Sequence, residues 1–542
     1  MREPSRSCHG EGHVRWVLFG TATCRVPPGY GDRHVLRVWF GTGETRLRSL
    51  VSKDRSYKPM VKSSGAQRES GGVVVPGTPG KDPDFGHAGD GGTRQGMAGT
   101  TRPSDPAGHL PVDKVQRLQR RLYVAAKRSP ERRFHALYDR IFRPDVLEEA
   151  WRRVLANRGA AGVDRETLAD VEAYGAEQML QDLSDALRQG RYHPAPVRRR
   201  GIPKPDGGVR PLGIPTVRDR VAQQAAKLVL EPIFEADFLP VSFGYRPRRS
   251  ATAALEVIRR SFIEGRVWVA ELDIRSFFDS LDHDRLMEFV GQRVSDRRVL
   301  KLVRGWLTAG VMEDGVLSQT VSGTPQGGVI SPLLANIYLH RLDLAWAERG
   351  HGTLVRYADD AVILCRTQAE AEAALDLAGE ILAGLGLELH PDKTRIVDLR
   401  GGREGFDFLG CHFHARVSGR LLERGIRRYY LHRWPSARSM KRVRARVKEL
   451  TGRNRNGVKD VRVLIRDLNP VLRGWGNYFR TGNAATKFQQ VDRYVVGRLR
   501  RFLVKRQGRH LRPGQTRGWT EDWLNGLGLH RLRGTVRYPE AA

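Results

Sequence analysis

Cysteine is scarce in this sequence. Its 542 residues include four cysteines, Cys8, Cys24, Cys365 and Cys411, and no two of them form a C-x-x-C pair. This spacing excludes a zinc ribbon and a disulfide framework. Long apolar runs are missing as well, since none approaches the roughly 20 residues that span a bilayer. We therefore expect a soluble protein of a reducing compartment, with no membrane partner.

Acidic residues are the second shortage. The chain has 60 Asp plus Glu against 93 Lys plus Arg, a formal charge of +33. This excess makes a polyanion the expected partner, because Lys and Arg that neutralise phosphates release counterions. A small-molecule enzyme with an incidentally basic surface is the alternative. With 40% hydrophobic residues the chain can build a core, and its length indicates two to four domains.

Regular periodicity is missing from the first 112 residues. They contain 19 Gly and 10 Pro, which is near the share that signals low complexity. We predict a mostly disordered extension over residues 1–112, and a short hairpin around Val35 to Phe40 is the alternative.

Helical and extended patterns alternate after this extension. Apolar spacing predicts helices over residues 115–127, 130–156, 182–188, 218–238 and 250–264. Two extended runs around Asp206-Gly207-Gly208 predict a hairpin over residues 197–214. Residues 267–272 indicate a buried strand that ends at Asp273. Residues 401–542 carry 33 Lys plus Arg against 10 Asp plus Glu, and we predict helices there over residues 436–450, 458–479 and 486–505.

Two adjacent acids, Asp359 and Asp360, lie between two apolar runs, which predicts a β-hairpin with both acids at its tip. A solvated turn is the ordinary explanation of such a pair, but neighbouring carboxylates repel unless a cation neutralises them. Asp273 can converge with them if the strands share a sheet. Three oxygen ligands suit Mg²⁺, and two such ions would activate a 3′-hydroxyl and stabilise the leaving pyrophosphate.

Several sequence blocks carry a resemblance to a known family. The first runs from Glu271 to Asp279, the second is Gly323-Thr324-Pro325-Gln326-Gly327-Gly328 and its continuation to Leu339, and the third is Tyr357-Ala358-Asp359-Asp360. In this order they resemble the group II intron-encoded reverse transcriptases. Blocks at residues 405–410 and 468–479 are similar to the primer-grip region and the maturase domain of that family.

The resemblance implies an α+β right-hand polymerase with fingers and palm, followed by an all-α thumb/maturase domain. The fingers and palm would occupy residues 113–410, and the thumb/maturase helices (domain X) residues 411–508. Residues 509–542 would be a short basic tail, a reduced DNA-binding segment, in place of the HNH endonuclease of many relatives.

The resemblance also implies roles for single residues. Asp273, Asp359 and Asp360 correspond to the catalytic triad that binds two Mg²⁺ ions, for which Mn²⁺ can substitute. The nucleotide-binding positions correspond to Lys204, Arg210, Phe278, Gln326, Gly327 and Lys393. Phe278 would exclude a 2′-hydroxyl, and an ordinary core ring beside Phe277 is its alternative. The primer grip corresponds to Phe408, Leu409 and Gly410, and the RNA-binding surface of the maturase domain to Arg473, Trp475, Tyr478 and Arg480.

The implied function is RNA-directed DNA synthesis on a host intron RNA, with assistance to the splicing and mobility of that intron. The implied partners are group II intron RNA, an RNA template with a DNA primer, target DNA and dNTPs, in the bacterial cytoplasm and at the nucleoid when DNA is the substrate. A homodimer is left open. Two alternatives remain: a maturase that binds RNA without significant polymerase activity, and another prokaryotic reverse transcriptase, retron-like or defence-associated.

Overall fold

The computed structural model describes residues 40–41, 44–45, 111–203, 208–313, 316–318, 323–324, 327–452, 455, 457–512 and 514–538. The chain divides into two compact units, residues 1–69 and 70–542. The described residues of the first unit form two short antiparallel strands, β1 (Phe40–Gly41) and β2 (Glu44–Thr45). Apart from these strands and the start of the first helix, the disorder predicted for residues 1–112 lies outside the described residues.

The described part of the second unit combines helices with three sheets. Its strands are β3 (Val197–Pro203), β4 (Val209–Ile214), β5 (Trp268–Asp273), β6 (Val311–Glu313), β7 (Val316–Ser318), β8 (Thr353–Tyr357), β9 (Asp360–Cys365), β10 (Arg395–Asp398), β11 (Gly405–Phe408), β12 (Cys411–Val417) and β13 (Tyr429–Pro435).

The helices are spread along the whole unit. They are α1 (Pro111–Arg128), α2 (Tyr138–Ile141), α3 (Pro144–Ala156), α4 (Leu168–Tyr174), α5 (Ala176–Arg188), α6 (Val217–Glu235), α7 (Ala251–Ile263), α8 (Phe277–Ser280), α9 (His283–Gly291), α10 (Arg297–Thr308), α11 (Ser331–Arg349), α12 (Gln368–Gly384), α13 (Gly419–Leu422), α14 (Ala437–Leu450), α15 (Val461–Phe479), α16 (Ala485–Gln507) and α17 (Glu521–Gly526). None of these helices is long and apolar enough to cross a bilayer.

Helices α1, α3 and α6 pack on one another and form the first layer of the unit. Helix α6 is buried along most of its length, and the Thr216 hydroxyl caps its first turn by accepting a hydrogen bond from the Asp219 N–H. The helix predicted over residues 130–156 is too long. Pro144 starts α3, and proline is favoured only in the first turn of a helix, so the predicted helix is divided there and its earlier part keeps only the short α2.

The first sheet of the unit has the strand order β4-β3-β6-β7. Strands β3 and β4 pair antiparallel in register from Pro203↔Val209 to Arg198↔Ile214, as the predicted hairpin requires. The turn at Asp206-Gly207 lies outside the described residues. Strand β6 pairs parallel with β3 and closes the sheet with β7.

The second sheet has the order β10-β5-β9-β8, and every neighbouring pair is antiparallel. Strand side chains alternate between its faces. Ala270, Leu272 and Ile363 join a first core with α6, α11 and α12, whereas Val269 and Val362 join a second core. Both faces of the sheet are therefore covered by apolar side chains, and Asp273 and Asp360 lie where β5 ends and β9 begins.

The third sheet, β11-β12-β13, joins the second core to helices α14, α15 and α16. These helices match the three predicted over residues 436–450, 458–479 and 486–505. Pro470 lies inside α15, which continues through it. One apolar core thus runs from the second sheet into the basic carboxyl-terminal region.

Candidate active site

The β8–β9 hairpin carries the paired acids at its turn. Tyr357 pairs with Asp360, which leaves Ala358 and Asp359 as the connecting residues. Ala358 has a positive φ of 56°, and tight hairpin turns need positive φ because this matches the twist of the strands. Left-handed backbone costs a residue with a Cβ about 1–2 kcal/mol, so surrounding contacts must hold this turn in place.

Asp273 lies beside this turn. It ends β5 and pairs with Asp360 across the β5–β9 ladder. Directly opposite residues of neighbouring strands project from the same face, so Asp273 and Asp360 share a face, and Asp359 precedes Asp360 in the chain. The strand register therefore sets Asp273 opposite Asp360 and places Asp359 in the adjoining turn.

Lys393 provides a cation at the acids. Its Nζ lies 3.1 Å from the Asp273 Oδ2, and the Asp273 carbonyl accepts a hydrogen bond of 2.7 Å from the His390 N–H. Among the residues that the structure describes, no three His, Cys, Asp or Glu side chains are gathered closely enough to hold a metal ion. The hard oxygen donors of the acids nevertheless suit a divalent cation in their chemistry, and Lys393 shows that this position accepts positive charge.

A buried ion pair supports the β8–β9 turn through the Ala358 carbonyl. This pair was not predicted from the sequence. Arg356 and Asp343 have fully buried side chains, and the guanidinium donates to Asp343 Oδ1 at 2.7 Å. It also donates to the carbonyl oxygen of Ala358 at 2.9 Å and to the Asn336 Oδ1 at 3.2 Å. Burial raises the pKa of Asp343, but the adjacent guanidinium outweighs burial, and the pKa is lowered.

A loop before α7 packs against the other side of the turn. The Phe243 N–H donates to the Arg356 carbonyl at 2.8 Å, and the Asn336 side chain donates to the Gly244 carbonyl at 2.8 Å. A Cβ on Gly244 would lie 2.4 Å from the Ala358 nitrogen. Only glycine permits this approach, so the left-handed turn is held from two sides.

Phe277 and Phe278 take different environments after Asp273. Phe277 is buried in the first core, whereas Phe278 is half-buried and meets it edge to face, with ring centroids 5.1 Å apart. The Phe278 carbonyl accepts a hydrogen bond of 2.8 Å from the Thr324 N–H. Phe278 also packs against the first core, so both its core role and its role in sugar selection stay predictions.

The other predicted nucleotide-binding residues are described in part. Lys204 and Gln326 lie outside the described residues, and Arg210 is paired with Ile202 in the β3–β4 ladder. Gly327 has φ of 125°, and a Cβ on it would lie 2.5 Å from the Gly213 carbonyl oxygen. The close approach made by Gly327 in this structure is therefore to β4.

The predicted primer-grip residues form the β11–β12 turn. Phe408 pairs with Cys411, and the two connecting residues both have positive φ, 47° at Leu409 and 74° at Gly410. The Leu409 carbonyl accepts a hydrogen bond of 2.8 Å from the Tyr478 hydroxyl. This contact ties the turn to α15 and engages the Tyr478 hydroxyl, whose role in RNA binding stays a prediction.

The residues predicted to bind RNA on α15 divide into two groups. Trp475 is 7% exposed, and its ring packs on Phe479 and Phe488 at centroid distances of 4.9 and 5.4 Å. Its ring therefore packs within the core, and its assignment as an RNA contact stays a prediction. Arg473 is exposed and Arg480 half-exposed, so both remain available to a polyanion.

The carboxyl-terminal tail packs on the basic helices. Leu524 and Leu532 are fully buried in the second core. The Asp492 carboxylate of α16 accepts hydrogen bonds from the N–H groups of Leu532 and Arg533, at 3.1 and 2.8 Å. The leucines of the tail therefore complete the core beside α15 and α16, and its role in DNA binding stays a prediction.

Comparisons with known proteins match two parts of the chain. Residues 202–413 match the family described as "Reverse transcriptase (RNA-dependent DNA polymerase)". Residues 440–519 match "Group II intron, maturase-specific domain". The first match contains all three acids of the site, and the second contains α15, α16 and the start of the tail.

Three relatives show how far the similarity extends. The chain is 38% identical to Protein YkfC of Escherichia coli (strain K12) over 337 aligned residues, and the match covers 55% of this chain and 87% of YkfC. It is 41% identical to the group II intron-encoded protein LtrA of Lactococcus lactis subsp. cremoris over 211 residues, 39% of this chain and 35% of LtrA. It is 28% identical to Nuclear intron maturase 2, mitochondrial, of Arabidopsis thaliana over 33% of this chain and 29% of that protein.

Proposed function

Because this chain belongs to the group II intron-encoded reverse transcriptases and maturases, we propose that it copies its host intron RNA into DNA and assists the splicing and mobility of that intron. The observation that carries the proposal is the strand register that sets Asp273 opposite Asp360, with Asp359 in the turn. The chain carries a reverse transcriptase domain and a maturase domain, so both halves of the function have a physical basis.

The three sheets support the layout of a right hand as part of this proposal. We assign the fingers to the β4-β3-β6-β7 sheet with the helices around it, and the palm to the β10-β5-β9-β8 sheet. Helices α14, α15 and α16 form the thumb. The predicted boundaries, 113–410, 411–508 and 509–542, remain part of this proposal, and the maturase-specific match extends past the second of them to residue 519.

Asp273, Asp359 and Asp360 would hold two Mg²⁺ ions. When bound, these ions would neutralise the acids, favour ionisation of the primer 3′-hydroxyl and stabilise the charge of the pyrophosphate. The buried guanidinium of Arg356 fixes the Ala358 carbonyl, and through it the backbone that presents Asp359. Lys393 contacts Asp273 and would neutralise the acids before substrate arrives.

The remaining predicted residues would position the substrates. Lys204 and Arg210 clamp the triphosphate, while Gln326 and Gly327 pack beside the nucleotide and Phe278 excludes a 2′-hydroxyl. In phosphoryl transfer of this type, catalysis rests chiefly on positioning and neutralisation of charge. The Phe408, Leu409 and Gly410 turn would hold the primer strand.

RNA binding would rest on the basic helices. Helices α14 and α16 carry exposed basic side chains: Arg438, Lys441, Arg442, Lys448, Arg493 and Arg501. Their contacts to phosphate would make the affinity for RNA fall steeply with salt.

Primer extension tests the polymerase directly. The purified full chain is incubated with an RNA template annealed to a DNA primer, dNTPs and Mg²⁺, and the products are resolved by length. We expect extension to the end of the template. A folded chain that binds RNA yet extends no primer would contradict the proposed polymerase activity. It would favour the alternative, a maturase that binds RNA without polymerase activity.

A further inference from the structure

The β11-β12-β13 sheet has one face that does not enter the core. Cys411, Phe413 and Leu431 point into the second core. Because strand side chains alternate, the residues between them project from the opposite side. We call this side the ring face, and its members are His412, His414, Arg416, Tyr430, His432 and Trp434; all are half-buried or exposed.

The rings of this face form a connected surface. His412 and His414 are stacked with centroids 6.1 Å apart and planes at 21°. Trp434 lies 5.2 Å from His412 and 6.1 Å from His414. The Arg416 guanidinium covers the Trp434 ring at 4.7 Å. An indole, two imidazoles and a planar cation thus lie side by side on the solvent side of a sheet.

The charge of this hairpin is strongly positive. Between residues 411 and 435 the sequence has six arginines and one acid, Glu423. Four of these arginines, Arg420, Arg424, Arg427 and Arg428, are exposed in or beside the connection between β12 and β13. Burial and the neighbouring cations and histidines lower the pKa of His414 and His432. At neutral pH His414 and His432 are therefore mainly uncharged beside the guanidinium groups.

Flat rings beside arginines suit unpaired bases. A duplex hides the faces of its bases, whereas single strands expose them for stacking on aromatic and guanidinium planes while cations contact the phosphates. From this we propose that the ring face binds a single-stranded segment of RNA, with a base on Trp434 and Arg416 and the backbone directed toward the arginines of the connection.

The choice of RNA rests on the proposed function and on continuity along the chain. Strand β13 ends at Pro435, and the maturase-specific match begins at residue 440. The other end of the face carries negative charge, because the Asp407 carboxylate lies 2.6 Å from the His412 Nδ1. This acid directs the strand away from β11 and toward Arg416. The surface shares no residue with the catalytic acids or with α14 to α16.

A structural role predicts a different outcome. His412 and His414 also cover Gly405, where a Cβ would lie 2.8 Å from the His412 Nε2 and 3.0 Å from the His414 Nδ1. If the rings only shielded this strand, their loss would lower the melting temperature and leave affinity for RNA unchanged.

Fluorescence anisotropy with the full chain distinguishes RNA binding by the ring face from a purely structural role of its rings. The probe is a labelled single-stranded oligouridylate of about 12 nucleotides, and a blunt-ended RNA duplex is the comparison. We expect the Arg416→Ala/Trp434→Ala variant to bind the single strand about tenfold more weakly or worse, as the loss of a stacked base predicts. Affinity for the duplex should change by less than about twofold. The single variant Trp434→Phe keeps an aromatic ring and Arg416, so it should retain most of the affinity for the single strand.

A matched variant removes one exposed aromatic ring and one arginine elsewhere. Tyr174→Ala/Arg191→Ala, at α4 and after α5, should leave single-strand affinity unchanged. Equal losses in both double variants, no loss in the first, or an equal loss for the duplex would overturn the proposal.

Crosslinking does not depend on the folding of any variant. Wild-type chain irradiated with RNA that contains 4-thiouridine should give crosslinked peptides from residues 411–435. Crosslinks confined to other regions would overturn the proposal. Primer extension on the same proteins distinguishes the polymerase proposal from the ring-face proposal. A chain that extends no primer but still crosslinks at residues 411–435 would contradict the polymerase activity and support RNA binding by the ring face.

Discussion

Arg356 is a charged residue in the middle of an apolar hairpin. A buried ion pair is weak evidence of stability, because desolvation of the two charges can exceed their attraction. Its geometry indicates a positional role instead, since the same guanidinium contacts Asp343, Asn336 and the Ala358 carbonyl. The pair holds a left-handed residue immediately before Asp359.

Replacement of Arg356 by lysine tests this role. Lysine keeps a cation for Asp343 but loses the planar fork that also reaches Ala358. We expect the kcat of primer extension to fall about 10- to 100-fold, because small displacements at a catalytic group are costly, with little change in the KM for dNTP.

The control is Arg293→Lys, which alters a partly buried ion pair with Asp237 away from the turn. Both variants should lose melting temperature, but only Arg356→Lys should lose kcat. Equal kcat in the two variants would contradict a positional role for Arg356.

Phe278 carries the prediction of sugar selectivity. Phe278→Ala should raise incorporation of rNTP relative to dNTP by about tenfold or more, since the ring no longer excludes the 2′-hydroxyl. Competition assays with mixed nucleotides measure the ratio. Phe277→Leu alters the buried neighbour and should reduce stability while leaving the ratio unchanged. A changed ratio in Phe277→Leu with an unchanged ratio in Phe278→Ala would contradict the assignment of selectivity to Phe278.

Sequence patterns located the acids but not their supports. A strand that ends in Asp273 and a hairpin tip with Asp359 and Asp360 converge whenever the strands share a sheet. By contrast, Asp343 lies in α11 and Arg356 in β8, and no local periodicity relates them. The charge at Arg356 within an apolar run was the one signal that a buried partner must exist.

At the scale of elements, two hairpin turns and one loop define the site. The β8–β9 hairpin was predictable from its two apolar runs. The order β10-β5-β9-β8 was not, because the strands are separated by helices α8 to α12 and their pairing depends on the apolar cores on both faces. Register then fixes which side chains share a face.

Gly244 tests the loop that supports the turn. Gly244→Ala would place a Cβ 2.4 Å from the Ala358 nitrogen and 2.9 Å from the Tyr357 carbonyl carbon, both backbone atoms. We expect extension to fall at least tenfold and stability to fall by about 1–3 kcal/mol, as overpacking typically costs.

Gly291→Ala is the matched control, because nothing lies within 4 Å of its Cβ position. Urea unfolding and primer extension of both variants give the comparison. Wild-type activity in Gly244→Ala would show that this loop does not determine the turn.

The histidines of β12 and β13 make stability depend on pH. The pKa of His414 is lowered by burial, His412 and Arg416, and that of His432 by burial, Arg416 and His414. A lowered pKa means that the folded state disfavours the proton. The stability that the uncharged histidines contribute is therefore fully present above the ordinary histidine pKa of about 6.5. It is lost as the pH falls through the lowered pKa values.

The melting temperature should therefore fall between about pH 7.5 and pH 5. The His414→Gln/His432→Gln variant should show a shallower fall over the same range, measured by circular dichroism at constant ionic strength. An unchanged slope would mean that other groups set the pH dependence.

At the scale of the whole molecule, composition and fold answer different questions. The excess of 33 positive charges predicts a polyanionic partner but says nothing about architecture. The sequence predicted the basic helices well, because their apolar spacing is regular. It missed that the tail completes the core, since Leu524, Leu529 and Leu532 are too few and too close together to form a periodic pattern.

One core links the proposed palm to the proposed thumb. Val269 and Val362 of the second sheet belong to the same apolar cluster as Leu468 and Leu532. Synthesis of DNA and binding of RNA would then share one scaffold, while their reacting and binding residues stay separate. The catalytic acids can therefore be removed without disturbing the basic helices.

The most direct measurement compares wild-type chain with Asp359→Ala/Asp360→Ala in primer extension, RNA binding and intron splicing, after both are shown to fold. We predict that extension vanishes in the variant while RNA affinity and splicing persist. Extension that survives in the variant would contradict the catalytic assignment, and loss of splicing with the fold intact would contradict the separation of the two functions.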